Sequence, residues 1–328
     1  MGGSTIVDKL LEIEGVKKYF PVRGGILSRE VAFIHAVDDV SFDIYEGQTF
    51  GLVGESGCGK TTLGRCILLL IQPTAGKIIF SGQNLLDLKK REIRKLRSQM
   101  AMIFQDPYSS LNPRMTVSDI IGKPLQIHKV ARGRERRRRV MELMKKVGLS
   151  SEHLYRYPHE FSGGQKQRIG IARALAVNPK LVVADEPVAA LDVSVRAGIL
   201  NLMKDLQKEF GLTYLFISHD LSVVKHICDK VAAMYLGKII EIAETEELFT
   251  NPLHPYTKAL ISAIPIPDPT VRVEKIVLPG EPSTPINPPP GCRFHKRCSH
   301  ATERCRKISP DLVEISKGHY VACHNLNT

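Results

Sequence analysis

The chain has 328 residues, of which 43% are hydrophobic and 24% charged, a balance that fits one large globular domain with an extension, or two domains. No apolar run approaches the roughly 20 residues that span a bilayer, and the N-terminus lacks the basic and apolar regions of a secretory signal, so we expect a cytosolic protein. Lys and Arg outnumber Asp and Glu by 46 to 34, and the net charge of +12 suits nucleic acid, anionic lipid or phosphate ligands.

The first clear element is a short apolar run, Gln48–Gly54, which predicts a buried strand. A loop with the sequence GESGCGKT follows at Gly54–Thr61 and leads into an apolar helical pattern, so the motif G-x-x-x-x-G-K-[ST] stands in its required strand–loop–helix context. Glycines let backbone N–H groups surround phosphate oxygens, and the helix N-terminus adds positive potential. We predict that Lys60 reaches the β- and γ-phosphates of ATP and that the Thr61 hydroxyl binds Mg²⁺. The predicted ATP-binding residues of this loop are Gly54, Glu55, Ser56, Gly57, Cys58, Gly59, Lys60, Thr61 and Thr62.

Cys58 lies between two glycines at the start of the predicted helix, a setting that tends to lower the pKa of a thiol. One interpretation is a reactive thiol that ATP protects from alkylation. The alternative is an inert small residue that packs in the loop.

The next feature is the basic run RGRERRRR at Arg132–Arg139. Val140, Leu143, Met144 and Val147 follow it with the spacing of an amphipathic helix. The arginines therefore lie either on a solvated helix face or on a surface for nucleic acid or lipid.

Two further apolar runs, Lys180–Glu186 and Leu212–Ser218, predict buried strands, and Arg196–Gly211 predicts the helix between them. This alternation indicates an α/β fold with a mostly parallel sheet and helices on both faces. Asp185 and Glu186 stand at the end of the first run. Next to a phosphate loop, we expect Asp185 to hold Mg²⁺ and Glu186 to polarise the attacking water.

The last 37 residues contain four of the seven cysteines, at Cys292, Cys298, Cys305 and Cys323. Their spacings differ from the short C-x-x-C pairs of most structural zinc sites. Four thiolates in a reducing compartment can bind either Zn²⁺ or an iron–sulfur cluster, and spacing alone leaves both open, as well as a metal-free tail. A histidine could replace one thiolate, and the candidates are His295, His300, His319 and His324.

The segment FSGGQKQR at Phe161–Arg168 resembles the signature motif of the ATP-binding cassette (ABC) ATPases, and it precedes the Asp185–Glu186 pair as in that family. Other family motifs occur in the same order: Gln105 of the Q-loop, Asp192 of the D-loop and the switch histidine His219. The aromatic residue that stacks on adenine in the family corresponds to Phe20, with Tyr19 as the fallback. Two departures are visible, because Phe161 replaces the usual leucine and Ala189 replaces a common serine.

The resemblance implies an ABC-type P-loop ATPase domain with an antiparallel β subdomain and an inserted helical subdomain. It implies that two such subunits dimerise head to tail, each placing its signature residues on the partner's ATP; here these are Ser162, Gly163, Gly164 and Gln165. The implied catalytic residues are Glu186 as general base, with His219 and Gln105 fixing the γ-phosphate, the water and Mg²⁺.

Three further segments, Phe104–Val117, Asn251–Leu260 and Leu278–Cys298, resemble the ATPase subunits of dipeptide and oligopeptide importers. That resemblance implies a peripheral position on the cytoplasmic side of the cell membrane. The implied partners are a second ATPase subunit, identical or homologous, two integral-membrane permeases and an extracytoplasmic solute-binding protein. It favours a [4Fe–4S] cluster over Zn²⁺ in the tail. The competing function is a cytosolic ABC ATPase acting on nucleic acid, which rests on the net charge and the arginine run but has no stacking aromatic pattern beside it.

Proline marks the domain boundaries, because eleven of the twenty prolines lie between Pro252 and Pro290 and fix the backbone against regular structure. We therefore predict an ATPase domain over residues 1–250, with its helical subdomain at about 107–161. A Pro-rich strap over 251–291 and a small Cys-rich metal-binding extension over 292–328 follow it.

Overall fold

The computed structural model describes residues 8–24, 29–265, 275–280 and 283–326. Its internal contacts divide the chain into two compact units. The first unit is built mainly from Ser81–Ile217, and the second from Leu11–Asp43, Phe50–Phe80 and the chain from Ser218 onward. The Cys-rich tail is not a compact unit of its own, because it belongs to the same unit as the phosphate loop.

The secondary structure alternates between strands and helices along most of the described chain. The strands are β1 (Lys9–Gly24), β2 (Arg29–Tyr45), β3 (Thr49–Val53), β4 (Ala75–Phe80), β5 (Gln83–Asn84), β6 (Met100–Ile103), β7 (Leu181–Asp185), β8 (Thr213–Ser218), β9 (Lys230–Tyr235), β10 (Lys238–Glu244), β11 (Val313–Ser316) and β12 (His319–Val321). The α-helices are α1 (Lys60–Ile67), α2 (Lys90–Leu96), α3 (Pro107–Ser110), α4 (Val117–Ile127), α5 (Gly133–Lys146), α6 (Gly163–Leu175), α7 (Val193–Phe210), α8 (Leu221–Ile227), α9 (Thr245–Thr250), α10 (Pro255–Ser262) and α11 (Glu303–Lys307).

The first unit has a parallel arrangement of β6, β7 and β8, in which Met100 lies opposite Leu181 and Leu181 opposite Thr213. Every residue of β7 and β8 is buried. A parallel strand covered on both faces has to be apolar along its whole length, which explains why the two runs lack polar alternation. The last residue of β7 is Asp185, which is buried like the rest of the strand.

The helical part of the first unit packs α4 against α5 and α6. In α5 the side chains of Val140, Leu143 and Met144 are buried, as the spacing predicts. Arg138 is paired with Glu135 and Glu142 of the same helix, at 2.8 and 2.6 Å. This part of the arginine run therefore forms a solvated face in which acidic neighbours offset the positive charge.

The second unit combines parallel and antiparallel pairing. β3 pairs parallel with β9, whereas β9 with β10, β10 with β12 and β12 with β11 are antiparallel pairs. β1 also pairs antiparallel with β4, with Leu11 opposite Phe80. The predicted α/β class, with parallel core strands and an antiparallel β region, is confirmed.

The Pro-rich strap contains a helix that the proline content did not predict. Pro255 occupies the first helical position of α10, where the missing N–H has no partner to lose, and the His254 side chain caps the helix by accepting from the Tyr256 N–H. Farther along, the Pro285 carbonyl accepts from the His35 N–H. Residues 266–274 and 281–282 of the predicted strap lie outside the described residues.

None of the helices in the described ranges combines the length and the apolar character that a membrane crossing requires.

Candidate functional site

The phosphate loop joins β3 to α1 in the second unit, and two of its glycines are required by close backbone contacts. Gly54 has φ +151°, and a Cβ there would lie 2.2 Å from the Met234 carbonyl oxygen. Gly59 has φ +110°, and a Cβ there would lie 2.0 Å from the Ala36 carbonyl oxygen. Neither position can accept a side chain, so the loop keeps the tight curve that turns its N–H groups toward an anion.

Lys60 is the first residue of α1, and its side chain is almost fully buried. Its Nζ donates to the carbonyl oxygens of Gly54 and Glu55, at 2.7 and 2.9 Å. The ammonium group therefore lies against the backbone of the loop in which it is predicted to bind the phosphates. Ser56 and Gly57 at the tip of the loop are exposed, and Thr61 and Thr62 in the first turn of α1 are half-buried.

Cys58 is not the activated thiol that one sequence interpretation suggested. Its side chain is 4% exposed, and burial raises the pKa of the thiol despite the Lys60 Nζ, which lies 3.6 Å from Sγ. Desolvation of a thiolate here outweighs the nearby positive charge. Cys58 therefore fits the alternative, a small packed residue of the loop.

The carboxylate pair stands at the end of β7 in the first unit. Asp185 is 2% exposed, and the following Glu186 takes a left-handed backbone conformation with φ +46°. Such a conformation is strained for a residue with a side chain, and strain of this kind concentrates at functional sites. Gln105 lies beside the pair and donates from Nε2 to the Glu186 carboxylate at 2.8 Å. The structure thus brings together two residues that lie far apart in the sequence and share a predicted role.

His219 belongs to the second unit and is exposed. It immediately precedes Asp220, whose carboxylate caps α8 by accepting from the N–H groups of Ser222 and Val223 at 3.0 and 3.3 Å. The helix cap fixes the backbone next to His219.

The signature residues form the start of α6 in the first unit. The Ser162 hydroxyl accepts from the Gln165 N–H at 3.4 Å, and the Gln165 side chain accepts from the Ser162 N–H at 3.0 Å, which is a capping box. Gly163 is half-buried, and a Cβ on the buried Gly164 would lie 2.4 Å from Val195 of α7. Small residues therefore let the helix start sit close to its neighbours, with its positive end toward solvent.

Asp192 of the predicted D-loop caps α7, because its carboxylate accepts from the Val195 N–H and the Ser194 hydroxyl, both at 2.9 Å. The backbone hydrogen bond from Val195, followed by the hydroxyl hydrogen bond from Ser194, lowers the pKa of Asp192. Phe161, the departure from the usual signature leucine, is buried and meets the edge of His153.

The two candidate adenine-stacking residues differ in their surroundings. Tyr19 stacks on His35 with ring centroids 4.1 Å apart, and its hydroxyl donates to Asp38. Burial, followed by the hydrogen bond to Asp38, raises the pKa of Tyr19. Phe20 is half-buried, with the Lys18 ammonium 4.8 Å from its ring centroid. Tyr19 is already engaged in contacts within the protein, so Phe20 stays the first candidate.

The four cysteines of the tail gather in one region. Burial comes first among the causes that raise the pKa of Cys292 to about 11, and the charges of Cys305, Cys323 and Cys298 add to it. However, within the described part of the chain no group of three or more His, Cys, Asp or Glu side chains is placed to hold a metal ion. The donor set therefore suits a metal centre, but the side chains do not converge on a single ion.

Sequence reasoning missed several polar residues that fix the site from the tail and the strap. Arg297 contacts Glu55, Arg293 contacts Asp38, and the Tyr256 hydroxyl accepts from the Glu55 N–H at 2.8 Å. A buried arginine pairs with a carboxylate more than 200 residues away in both ion pairs, and no local pattern signals such a pairing.

These features define a P-loop ATPase of the ATP-binding cassette type, and comparison with known proteins agrees. Residues 37–189 match the ABC transporter family, and residues 240–305 match the C-terminal region of oligopeptide/dipeptide transporters. Among solved structures, the ATP-binding cassette MJ0796 bound to ADP and Pi aligns with a TM-score of 0.64 and 30% identity, over 72% of this chain and 99% of that one.

Sequence relatives narrow the family further. The oligopeptide transport ATP-binding protein AppF of Bacillus subtilis is 53% identical over 97% of each chain. The dipeptide transport ATP-binding protein DppF of Haemophilus influenzae is 51% identical, also over 97% of each chain. The chain belongs to the ABC ATPases and, within them, to the ATP-binding proteins of oligopeptide and dipeptide transporters. These relatives give no support to the nucleic-acid function.

Proposed function

We propose that this protein is the ATP-binding and ATP-hydrolysing subunit of an ABC importer for dipeptides or oligopeptides. It works as one of a pair of ATPase subunits, identical or homologous, docked on two membrane permeases at the cytoplasmic face of the cell membrane. An extracytoplasmic binding protein delivers the peptide to the permeases. The family relationship over nearly the whole chain supports the transport role, and the hydrogen bond between Gln105 and Glu186 carries the catalytic one.

Each of the two units, taken by itself, contains residues of the kinds that bind ATP and Mg²⁺. The loop Gly54–Thr62 offers backbone donors and the Lys60 ammonium for the phosphates, and the Thr61 hydroxyl, Asp185 and Gln105 offer oxygens, which Mg²⁺ prefers. When bound, Mg²⁺ would offset the charge of the β- and γ-phosphates. A partner subunit's signature segment would supply the donors on the remaining side of the γ-phosphate.

Glu186 serves as general base for the water that attacks the γ-phosphate. Its carboxylate accepts from Gln105, so this hydrogen bond holds the two side chains in mutual reach. Gln105 would be one of the residues that hold Mg²⁺ and the water when Mg²⁺–ATP is bound, and the Glu186 carboxylate would then be the group that takes the proton of the water. His219, on its capped backbone, contacts the γ-phosphate.

Substitution Glu186→Gln tests this assignment, because it keeps the size of the side chain and removes the base. We expect ATP binding to persist and turnover to fall by about 100-fold or more. The exposed Glu152→Gln in the same unit serves as the matched control. Wild-type turnover in Glu186→Gln would exclude Glu186 as the base, and failure of affinity purification from membranes to recover permease chains would contradict the transport role.

We further propose that Cys292, Cys298, Cys305 and Cys323 hold a [4Fe–4S] cluster with a structural role. A cluster distributes its ligands over several irons, so its cysteines need not converge on one point as the ligands of Zn²⁺ must. Protein purified without oxygen should be brown and contain about four irons and four acid-labile sulfides per chain. Colourless protein with stoichiometric zinc would show that the cysteines bind Zn²⁺ instead of a cluster. Protein that contains neither iron nor zinc would show that the tail is metal-free.

A further inference from the structure

We propose that the Cys-rich tail is a positioning element of the nucleotide site. Arg297 of the tail holds the phosphate loop through Glu55, and Arg293 holds the segment beside the adenine-stacking candidates through Asp38. This inference rests on the proposed function, because it takes Gly54–Thr62 as the loop that binds ATP. All of these residues belong to the second unit.

The contact between Arg297 and the loop is partly shielded from water. Arg297 Nη1 donates to both carboxylate oxygens of Glu55, at 3.0 and 2.9 Å. The Arg297 side chain is 8% exposed and the Glu55 side chain 29%, so solvent screens the pair less than a surface ion pair.

Glu55 is also held through its backbone. Its N–H donates to the Tyr256 hydroxyl at 2.8 Å, and its carbonyl oxygen accepts from Lys60 Nζ at 2.9 Å. The second residue of the phosphate loop is therefore fixed by the tail, by α10 and by the lysine that is predicted to meet the phosphates. A shift of Arg297 moves the backbone that positions Lys60.

Arg293 makes the second connection. Its guanidinium donates to the Leu236 carbonyl at 2.6 Å and to the Asp38 carboxylate, which also accepts from the Tyr19 hydroxyl. The Arg293 and Asp38 side chains are 7% and 13% exposed. Arg293 therefore holds Asp38 of β2, and Asp38 in turn holds the hydroxyl group of Tyr19, the neighbour of Phe20 in β1.

The turn between β9 and β10 joins the two connections. The Gly237 N–H donates to the Cys58 carbonyl, and the Gly237 carbonyl accepts from the Asp38 N–H, both at 2.8 Å. Because Arg293 binds the adjacent Leu236 carbonyl, the tail, the turn and the phosphate loop form one continuous hydrogen-bonded network.

Phe294 anchors the segment that carries both arginines. It is 1% exposed and packs against Tyr235, Tyr256 and His254, with ring centroids 5.3 to 5.6 Å apart. Cys292 and Cys298 flank this segment in the sequence. The position of the tail and the affinity for nucleotide are therefore coupled. Because such coupling is reciprocal, a bound nucleotide must stabilise the docked position of the tail.

The first test is Arg297→Gln in the full chain, with the non-hydrolysable analogue AMP-PNP and Mg²⁺ as the probe. We expect its Kd to rise about fivefold or more, the low end of typical coupling between linked sites. Arg306→Gln is the matched control, because Arg306 is an exposed tail arginine paired with Glu303 of its own helix. The control should bind AMP-PNP like the wild type, and Arg297→Lys should restore part of the affinity.

Hydrogen exchange of the segment 292–298 separates positioning from a general loss of structure. In the wild type, AMP-PNP should slow exchange in this segment as well as in the phosphate loop. In Arg297→Gln the nucleotide should still protect the loop but no longer the tail. Equal Kd values and equal tail protection in wild type and Arg297→Gln would overturn the inference while leaving the ATPase function intact.

If Arg297→Gln does not fold, Glu55→Gln weakens the same contact from the other side, because it removes the negative charge and one of the two acceptor oxygens. It should also uncouple tail exchange from nucleotide, and unchanged tail protection in Glu55→Gln would refute the inference. Where both variants fold, the double variant should lose less affinity than the sum of the two single losses, since both act on the same interaction. Absence of AMP-PNP binding in the wild type would instead refute the proposed function.

Discussion

Glu241→Gln is the substitution that most directly tests how the C-terminal part of the second unit is held together. Glu241 lies in β10 and is fully buried. Its Oε1 accepts from the Leu253 N–H at 2.7 Å and faces His319 Nε2 of β12 at 2.8 Å, and its Oε2 accepts from the His254 N–H at 3.0 Å. One carboxylate thereby joins β10, the start of α10 and the tail strand.

The cost of the substitution follows from these three contacts. A Gln side chain can place its carbonyl oxygen where Oε1 stands, but its NH₂ group then meets the His254 N–H as donor against donor. Losing one hydrogen bond to a charged group costs about 1.5–3 kcal/mol, and the other two bonds weaken because the acceptor becomes neutral. Relief from burying a charge offsets part of this loss. We expect a net destabilisation of about 2 kcal/mol.

Urea unfolding, followed by circular dichroism, measures this loss at pH 7.5. Glu314→Gln is the matched control, because Glu314 also accepts from a backbone N–H in the tail, from Gly318 at 2.8 Å, but stands on an exposed strand. The control should change the free energy of unfolding by less than about 0.5 kcal/mol. If Glu241→Gln were as stable as the wild type, the carboxylate would not be the junction that its geometry indicates.

Two other predictions concern the phosphate loop and the strap. Gly59→Ala should abolish nucleotide binding, measured by calorimetry, because the new Cβ would lie 2.0 Å from the Ala36 carbonyl oxygen. Gly170→Ala in α6 is the control, because there is open space around the new methyl group. Nucleotide binding by Gly59→Ala would contradict this prediction. Burial, followed by the positive charge of Lys258, lowers the pKa of His254 to about 3. Below about pH 6.5 the imidazole therefore takes up a proton in the unfolded chain but stays neutral in the folded one. The free energy of unfolding accordingly falls as the pH drops below this value. At pH 5 the free energy of unfolding should be about 2 kcal/mol lower than at neutral pH because of this group. In His254→Asn the midpoint of urea unfolding should lose this part of its pH dependence. A pH dependence equal to that of the wild type would contradict the prediction.

The sequence was sufficient where the determinants are local. The glycine loop and the apolar strands act within a few residues of themselves, so their structure follows from propensity and spacing. The inward face of α5 was equally predictable, because a buried stripe at helical spacing leaves a clear pattern.

Features that depend on burial or on distant partners could not be predicted. The pKa of Cys58 follows from its burial, which the helix-terminus argument ignores. The left-handed backbone of Glu186 is a local strain that a surrounding fold must impose. α10 was hidden by the proline content, although Pro255 at the first helical position is compatible with a helix.

The tail stays folded although it has little core of its own. Every residue of β11 is exposed. The buried Phe294 packs against Tyr235 of β9 and Tyr256 of α10, and the buried Val321 pairs with Glu241 of β10. The buried Arg293 donates to the Leu236 carbonyl in the turn between β9 and β10. The tail therefore obtains most of its burial from the unit that contains the phosphate loop. A cluster on its cysteines would add stability to a segment that is already docked, and it would act on the nucleotide site through the docking residues rather than through the metal itself.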